Sequence, residues 1–455
     1  MPRTTAKPAT TTAATGARAR PGHSPRLPAP DYRIERAVLG NGLRVLLVPD
    51  RSVPAVAVAV HYDVGMRSEP PGRTGFAHLF EHLMFEGSAH IGKLEHGRYV
   101  QSAGGVLNGT THLDYTNYFE LVPANALDRM LYLEADRMAG PLLSQHNLDN
   151  QISVVKEEIR VNVLNRPYGG FPWLSMPPLL FATFANSHNG YGDFVDLDAA
   201  TLADATAFFR RYYAPANALL TVVGDFEPDT IGATIDRLFG SITSRRAPAR
   251  ASMAEPGLTG ERRGERADAH APLPAVAAGW RVPDPVEDLT GYLPYLILAE
   301  VLTDGDASRL HDRLVNTEQI VNSLAGYLGF LGDPLDARDP TVFLLHAIHS
   351  PDAPADRVLG VIDEELDRLA QYGPDHGELD RVRARLVATV LRELDPVLGR
   401  AQVLAAAELI HGRAELVAEL PALLGEVGDD DVRAAAAALR PDRRAVDIVL
   451  PGPRR

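Results

Sequence analysis

The chain has 455 residues, an apolar fraction of 45 % and a formal charge of −14, enough for roughly two to four domains with a sizeable core. The acidic balance argues against a nucleic-acid binder or a partner for anionic lipid. Cysteine is absent, so there are no disulfides or thiolate sites, and any metal must be held by His, Asp or Glu.

No apolar run approaches the length of a membrane span, and the N-terminus has no signal-peptide core. Residues 1–31 are rich in Thr, Ala, Pro and Arg, and the first acid is Asp31. They predict a disordered tail. Lack of cysteine fits a reducing compartment, and a cytoplasmic protein with no membrane or nucleic-acid partner is expected.

Residues 33–38 and 43–48 predict two strands joined at Gly40-Asn41-Gly42, a hairpin signal. Pro54 to Val64 predicts a third strand, apolar on both faces and therefore central. A loop with Pro70, Pro71 and Gly72 leads to the segment Gly75 to Gly87, which reads Gly-Phe-Ala-His-Leu-Phe-Glu-His-Leu-Met-Phe-Glu-Gly. As a helix it puts His78 and His82 on one face, one turn apart, with Glu81 beside them. Two imidazoles so spaced can grip one divalent ion, and a nearby carboxylate can take a proton from water on it. The alternative is a pair of ordinary histidines. Against it, Phe76, Leu79, Phe80, Leu83, Met84 and Phe85 make the run apolar, where three unpartnered polar side chains are costly.

Farther on, 104–122 reads as a hairpin region and Asn125 to Met138 as a helix. Leu148 to Val163 reads as another helix, carrying Glu157 and Glu158, and Ala218 to Val223 as an apolar strand. Residues 244–272 lose apolar patterning and read as a linker. A strand (Ala275 to Trp280), a loop and a helix (Leu293 to Leu302) then echo the first block. Aligning Gly87 with Gly305 sets Leu296, Ala299 and Glu300 where His78, Glu81 and His82 stand. The expected architecture is α+β: two homologous domains, 32–243 with the metal motif and 273–455 without it. Each has a mostly antiparallel sheet flanked by helices.

These residues resemble the pitrilysin, insulysin and mitochondrial-processing-peptidase family of zinc metallopeptidases, the inverzincins. Besides Gly75 to Gly87, the resemblance rests on Asn108 with Thr116 and Tyr118, on Val154 to Ile159, on Tyr213 to Asn217 and on Val222 to Asp225. It spans roughly residues 32–450 and implies half of a clamshell. It implies one zinc per chain, bound by His78, His82 and a glutamate 76 residues beyond His82, which is Glu158. Glu157 is the second choice. Glu81 is the implied general base. An extended peptide is expected to add to an exposed strand edge near Asn108 and Gly109. Short or unfolded peptides suit such binding, including a leader on a precursor.

The sequence departs from the family at two places. Gln151 stands where many members have a glutamate, and its amide can still hydrogen-bond a ligand histidine. Val315 and Asn322 stand where active clamshells carry an arginine and a tyrosine that hold the substrate carbonyl. The chain is therefore expected to be the catalytic subunit of a heterodimer, with a homologous partner that lacks the metal motif but keeps that pair. The rival is a non-catalytic scaffold or peptide-binding subunit. Of the other histidines, His346 and His349 sit three apart on a strand and face opposite sides. His90, His96 and His112 have no acidic partner at ligand spacing, though His112 lies near the substrate edge. Trp173 and Trp280 are expected in the core.

Overall fold

We describe a computed structural model of the chain, covering residues 30–330 and 333–452. The expected tail lies outside the described residues except for residues 30 and 31. The first half builds a sheet from β1 (Glu35–Val38), β2 (Arg44–Pro49), β3 (Ala55–Tyr62), β4 (Val106–Thr111), β5 (Thr116–Pro123) and β6 (Ala218–Gly224). Their order is β1-β2-β6-β3-β5-β4. All neighbours are antiparallel except β2 and β6. The expected hairpin is present, and β3 is central.

The Ala-Val alternation of β3 serves its two faces differently. Val56, Val58 and Val60 point into the main core beneath the Phe76–Leu83 and Leu127–Ala139 helices. Ala57 points to the opposite face, packed under the Val397–His411 helix from the far end of the chain. A small side chain there lets that helix approach the sheet closely.

The second sheet comprises β7 (Arg262–Asp268), β8 (Ala275–Val282), β9 (Val321–Leu328), β10 (Thr341–His349) and β11 (Arg444–Pro451), in the order β7-β11-β8-β10-β9. Here β7 and β11 are parallel and the other neighbours antiparallel. This repeats β2-β6-β3-β5-β4 with the same strand directions, so the duplication inferred from sequence is visible as topology. Its covering layer is also borrowed. Phe171, Met176, Leu180 and Phe181 of the first half pack on Ala275, Ala277, Val342 and Leu344. Each half therefore caps the sheet of the other.

The stretch 244–272 does not stay irregular throughout, because it contains β7. That strand reads Arg-Arg-Gly-Glu-Arg-Ala-Asp, with alternately half-buried and exposed positions. It is an edge strand, where charges discourage further pairing, and this gives it a linker's composition. A helix at Glu95–Ser102 was also not foreseen. The helix expected over 148–163 is an α-helix at Gln145–Ile159, capped by Ser144, followed by a π-helical turn at Arg160–Leu164. Among the described residues no helix is long and apolar enough to cross a membrane.

Candidate metal centre

The Phe76–Leu83 helix starts at Gly75, whose φ of +80° is left-handed. A Cβ there would stand 2.6 Å from Gly192 Cα and 2.8 Å from the Tyr191 carbonyl oxygen, so the turn requires glycine on both counts. The amides at the helix start are satisfied by a distant group. Glu69 accepts from Gly75 N–H (2.8 Å) and Ala77 N–H (2.7 Å) and pairs with His188 Nε2 at 2.9 Å. A buried carboxylate at a helix N-terminus also complements its dipole.

Phe76, Leu79, Phe80 and Leu83 bury in the core, which leaves His78 and His82 facing the Gln145–Ile159 helix. Their Nε2 atoms lie 3.3 Å apart. Glu158 Oε2 lies 3.3 Å from His82 Nε2 and 3.6 Å from His78 Nε2. Three donors at the corners of a tetrahedron with bonds of about 2.0–2.1 Å stand about 3.3–3.4 Å apart. The spacing and the N, N, O donor set thus fit a zinc-sized cation.

The electrostatics agree with that fit. Burial, together with the neighbouring His82, pushes His78 down to about 4, so its ring is neutral at pH 7 and keeps a lone pair. Burial opposes a charge on His82 too, but the hydrogen bond and charge of Glu158, the charge of Glu81 and the Gln151 amide outweigh it and raise its proton affinity. The hydrogen bond from His82 leads the influences that hold Glu158 below the usual carboxylate range. The trio therefore attracts cations. Glu157 is exposed and pairs instead with Arg160 at 3.1 Å.

Glu81 lies on the same helix, its affinity for a proton raised by burial. Its Oε2 accepts a hydrogen bond from Thr111 Oγ1 at 2.6 Å. Gly109 sits against it: a Cβ there would come within 3.2 Å of Glu81 Cγ and 3.1 Å of Phe85 Cε2. Gly109 and the exposed Asn108 lie on β4, an edge strand paired only with β5 among the described residues. Gln151 Nε2 donates to Glu86 Oε1 at 2.7 Å, and Glu86 pairs with Lys93. Gln151 thus ties His82 to a second acidic residue.

Several neighbours escaped sequence reasoning. Thr111, Asn162, which hydrogen-bonds Glu158, and Tyr191, whose ring is 5.2 Å from that of His78, carry no signal in local spacing. The histidines set aside also need correction. His90, His96 and His112 each have an acidic partner, namely Asp136 (2.6 Å), Glu120 (2.7 Å) and Asp336. All three partners are distant in sequence, so a spacing rule could not find them. His96, Glu120 and Glu134 form a second buried group of possible ligands. Burial raises the proton affinity of both carboxyl groups, Arg137 donates to Glu134 through Nε and Nη2 and lies 3.7 Å from Glu120, and His96 Nε2 pairs with Glu120. The guanidinium of Arg137 already supplies a positive charge to that group. His346 stacks on Tyr327, and neither it nor His349 joins a ligand cluster among the described residues. Trp280 is core, but Trp173 is half-buried and lines a cavity. Val315 packs partly buried against the second core, and Asn322 is exposed on β9.

Comparison with known proteins gives a consistent result. A family model described as Insulinase (Peptidase family M16) matches residues 44–167, and one described as Peptidase M16 inactive domain matches residues 199–386. Zinc protease PqqE of Helicobacter pylori is 28 % identical over 79 % of this chain and 80 % of its own length. An uncharacterised zinc protease of Streptomyces coelicolor is 24 % identical over 92 % of this chain and 90 % of its own. The crystal structure of a protease from Helicobacter pylori superposes with a TM-score of 0.84 at 25 % identity, covering 92 % of this chain and all of that one. Pitrilysin shares the fold, with a TM-score of 0.74 at 16 % identity over 93 % of this chain but only 45 % of its own. With two family models matched in order along one two-domain fold, the chain belongs to the M16 family of metallopeptidases, as a short two-domain member.

Proposed function

We propose that this chain is the catalytic subunit of a zinc endopeptidase acting on short or unfolded peptides. The carrying observation is the convergence of His78, His82 and Glu158 from two helices at 3.3–3.6 Å. These three hold one zinc per chain. Zinc held there supplies Lewis-acid polarisation of the scissile carbonyl and the attacking water.

The chain's own residues do the rest. The unpaired edge of β4 takes the peptide backbone as an added strand, beside Asn108 and Gly109. Glu81, with one oxygen fixed by Thr111, accepts the water proton on the other and delivers it to the departing amine nitrogen. Gln151 orients His82. Val315 and Asn322 offer nothing to hold the substrate carbonyl, so a homologous subunit supplies that contact in a heterodimer. The length of pitrilysin, of which this chain covers 45 %, supports a second such unit in the working enzyme.

Glu81→Gln should retain one zinc per chain by elemental analysis and lose hydrolysis of unstructured peptides by at least a hundredfold. His78→Ala and Glu158→Gln should lose the zinc as well. Activity insensitive to Glu81→Gln would mark a scaffold. Purified chain that cleaves at full rate alone would remove the case for a partner.

A further inference from the structure

The turn that ends β4 is held from the second half of the chain. Residues 112–115 join β4 to β5, and residues 333–340, which lead into β10, pack against them. Asp336 is 6 % exposed. One of its carboxylate oxygens accepts from the Tyr115 hydroxyl, and the other lies against His112 Nδ1. Beside it, Asp114 accepts from Arg67 Nη1 at 3.1 Å and from the Arg338 amide at 2.7 Å. Arg67 Nη1 also donates to the Arg338 carbonyl at 2.9 Å. A buried polar clasp thus joins the two halves at this turn.

The clasp reaches the strand that carries the site. His112 Nε2 hydrogen-bonds Thr110 Oγ1 at 2.8 Å, and the ring stacks on Tyr115 with centroids 4.2 Å apart. Thr110 precedes Thr111 on β4, and successive side chains of a strand point to opposite faces. Thr111 bonds Glu81 on one face, and the series Asp336, His112, Thr110 grips the other. Between them runs an edge strand whose one sheet partner among the described residues is β5. A strand with ladder bonds on one side has less to hold it, so side-chain contacts weigh more in fixing its place. The amides of Met66 and Arg67 donate to the carbonyls of His112 and Leu113, each at 3.0 Å. They anchor the main chain of the turn and leave the His112 ring free to rotate. Its Nδ1 is buried, and without Asp336 it would face no acceptor among the described residues.

Resting on the peptidase reading above, we propose that Asp336 is a positioning residue supplied by the half without the metal motif: through His112 and Thr110 it holds β4 where a peptide strand can pair with it beside the metal centre. The test uses the full-length, zinc-loaded Glu81→Gln chain and a dye-labelled unstructured peptide. The β4 edge belongs to this chain, so binding needs no partner. Adding Asp336→Ala should weaken peptide binding at least tenfold with one zinc per chain retained. Amides of residues 106–112 should exchange with deuterium at least tenfold faster, while β3 and β6 keep their protection. Asp336→Asn, which can still accept from Tyr115 and meet His112, should recover most of the affinity. With His112→Phe already present, Asp336→Ala should cost no more than a further twofold, because the route through the imidazole is gone. Should Asp336→Ala speed exchange everywhere, His112→Phe, which keeps a ring on Tyr115, decides by the same two readings. Unchanged affinity and unchanged β4 exchange would overturn the role of Asp336 and leave the peptidase reading intact. Fully additive losses in the double variant would overturn the route through His112. Failure of the peptide to bind the Glu81→Gln chain itself would remove the peptidase reading and this role with it.

Discussion

Glu81 depends on a short list of contacts. The Thr111 hydroxyl opposes the effect of burial by stabilising the ionised carboxylate. Thr111→Val removes that bond and keeps the shape, so the Glu81 pKa rises. A base that is protonated at higher pH loses activity sooner on acidification. The acid limb of kcat/KM against pH should therefore move to higher pH, with zinc content unchanged. An unmoved limb would show that Thr111 does not act on the base. The histidine motif and Glu81 were legible because a helix converts sequence spacing directly into a shared face. Thr111 was not legible, since nothing in its own segment shows that β4 runs beside the Phe76–Leu83 helix. The same limit hid the carboxylate partners of His90, His96 and His112.

At the scale of the element, the histidine helix is placed from its N-terminus. Glu69 bonds two amides of its first turn and Nε2 of His188, whose Nδ1 bonds the Phe184 carbonyl. Burial raises the Glu69 pKa, and His188 and the two amides oppose that rise. In Glu69→Gln one of the two carboxylate oxygens becomes an NH₂ group facing an N–H donor. We expect a loss of about 3 kcal/mol, read as a lower midpoint in denaturant, together with weaker zinc binding because His78 is two residues from that turn. Wild-type stability in the variant would show that the helix start is fixed by packing alone. Strands buried on both faces, such as β3, declared themselves by continuous apolar composition. The edge strand β7 did not, because an edge is selected for charge, and charge is also what a linker shows.

At the scale of the molecule, the exchange of covering layers makes the halves interdependent. Cutting the backbone within 244–261 should leave the two fragments co-eluting on a sizing column, and residues 32–243 expressed alone should aggregate. A well-folded, soluble 32–243 fragment would contradict the packing described. Buried histidines make an acid-labile contribution to stability, which the raised carboxyls of Glu134 and Asp333 oppose. Burial holds His61 and His96 down to about 3 and His346 down to about 4, whereas the unfolded chain takes up those protons near pH 6.5. Below about pH 6.5 the unfolded state binds more protons at these three histidines, so the stability they contribute at neutral pH is lost as pH falls toward 4. Each group contributes a slope of about 1.4 kcal/mol per pH unit. His346→Phe, which keeps a ring against Tyr327, should flatten that decline between pH 6.5 and 4.5 in urea melts.

Borrowed cover also has a consequence for biosynthesis. The strands of the first sheet are complete once the ribosome has passed Gly224, yet the helix that shields one face ends at His411, about 190 residues later. At about 5–20 residues per second this face stays bare for roughly 10–40 s. A nascent polypeptide in that interval presents Leu46, Val48, Leu219 and Val223 to solvent, which makes it a client for a holdase.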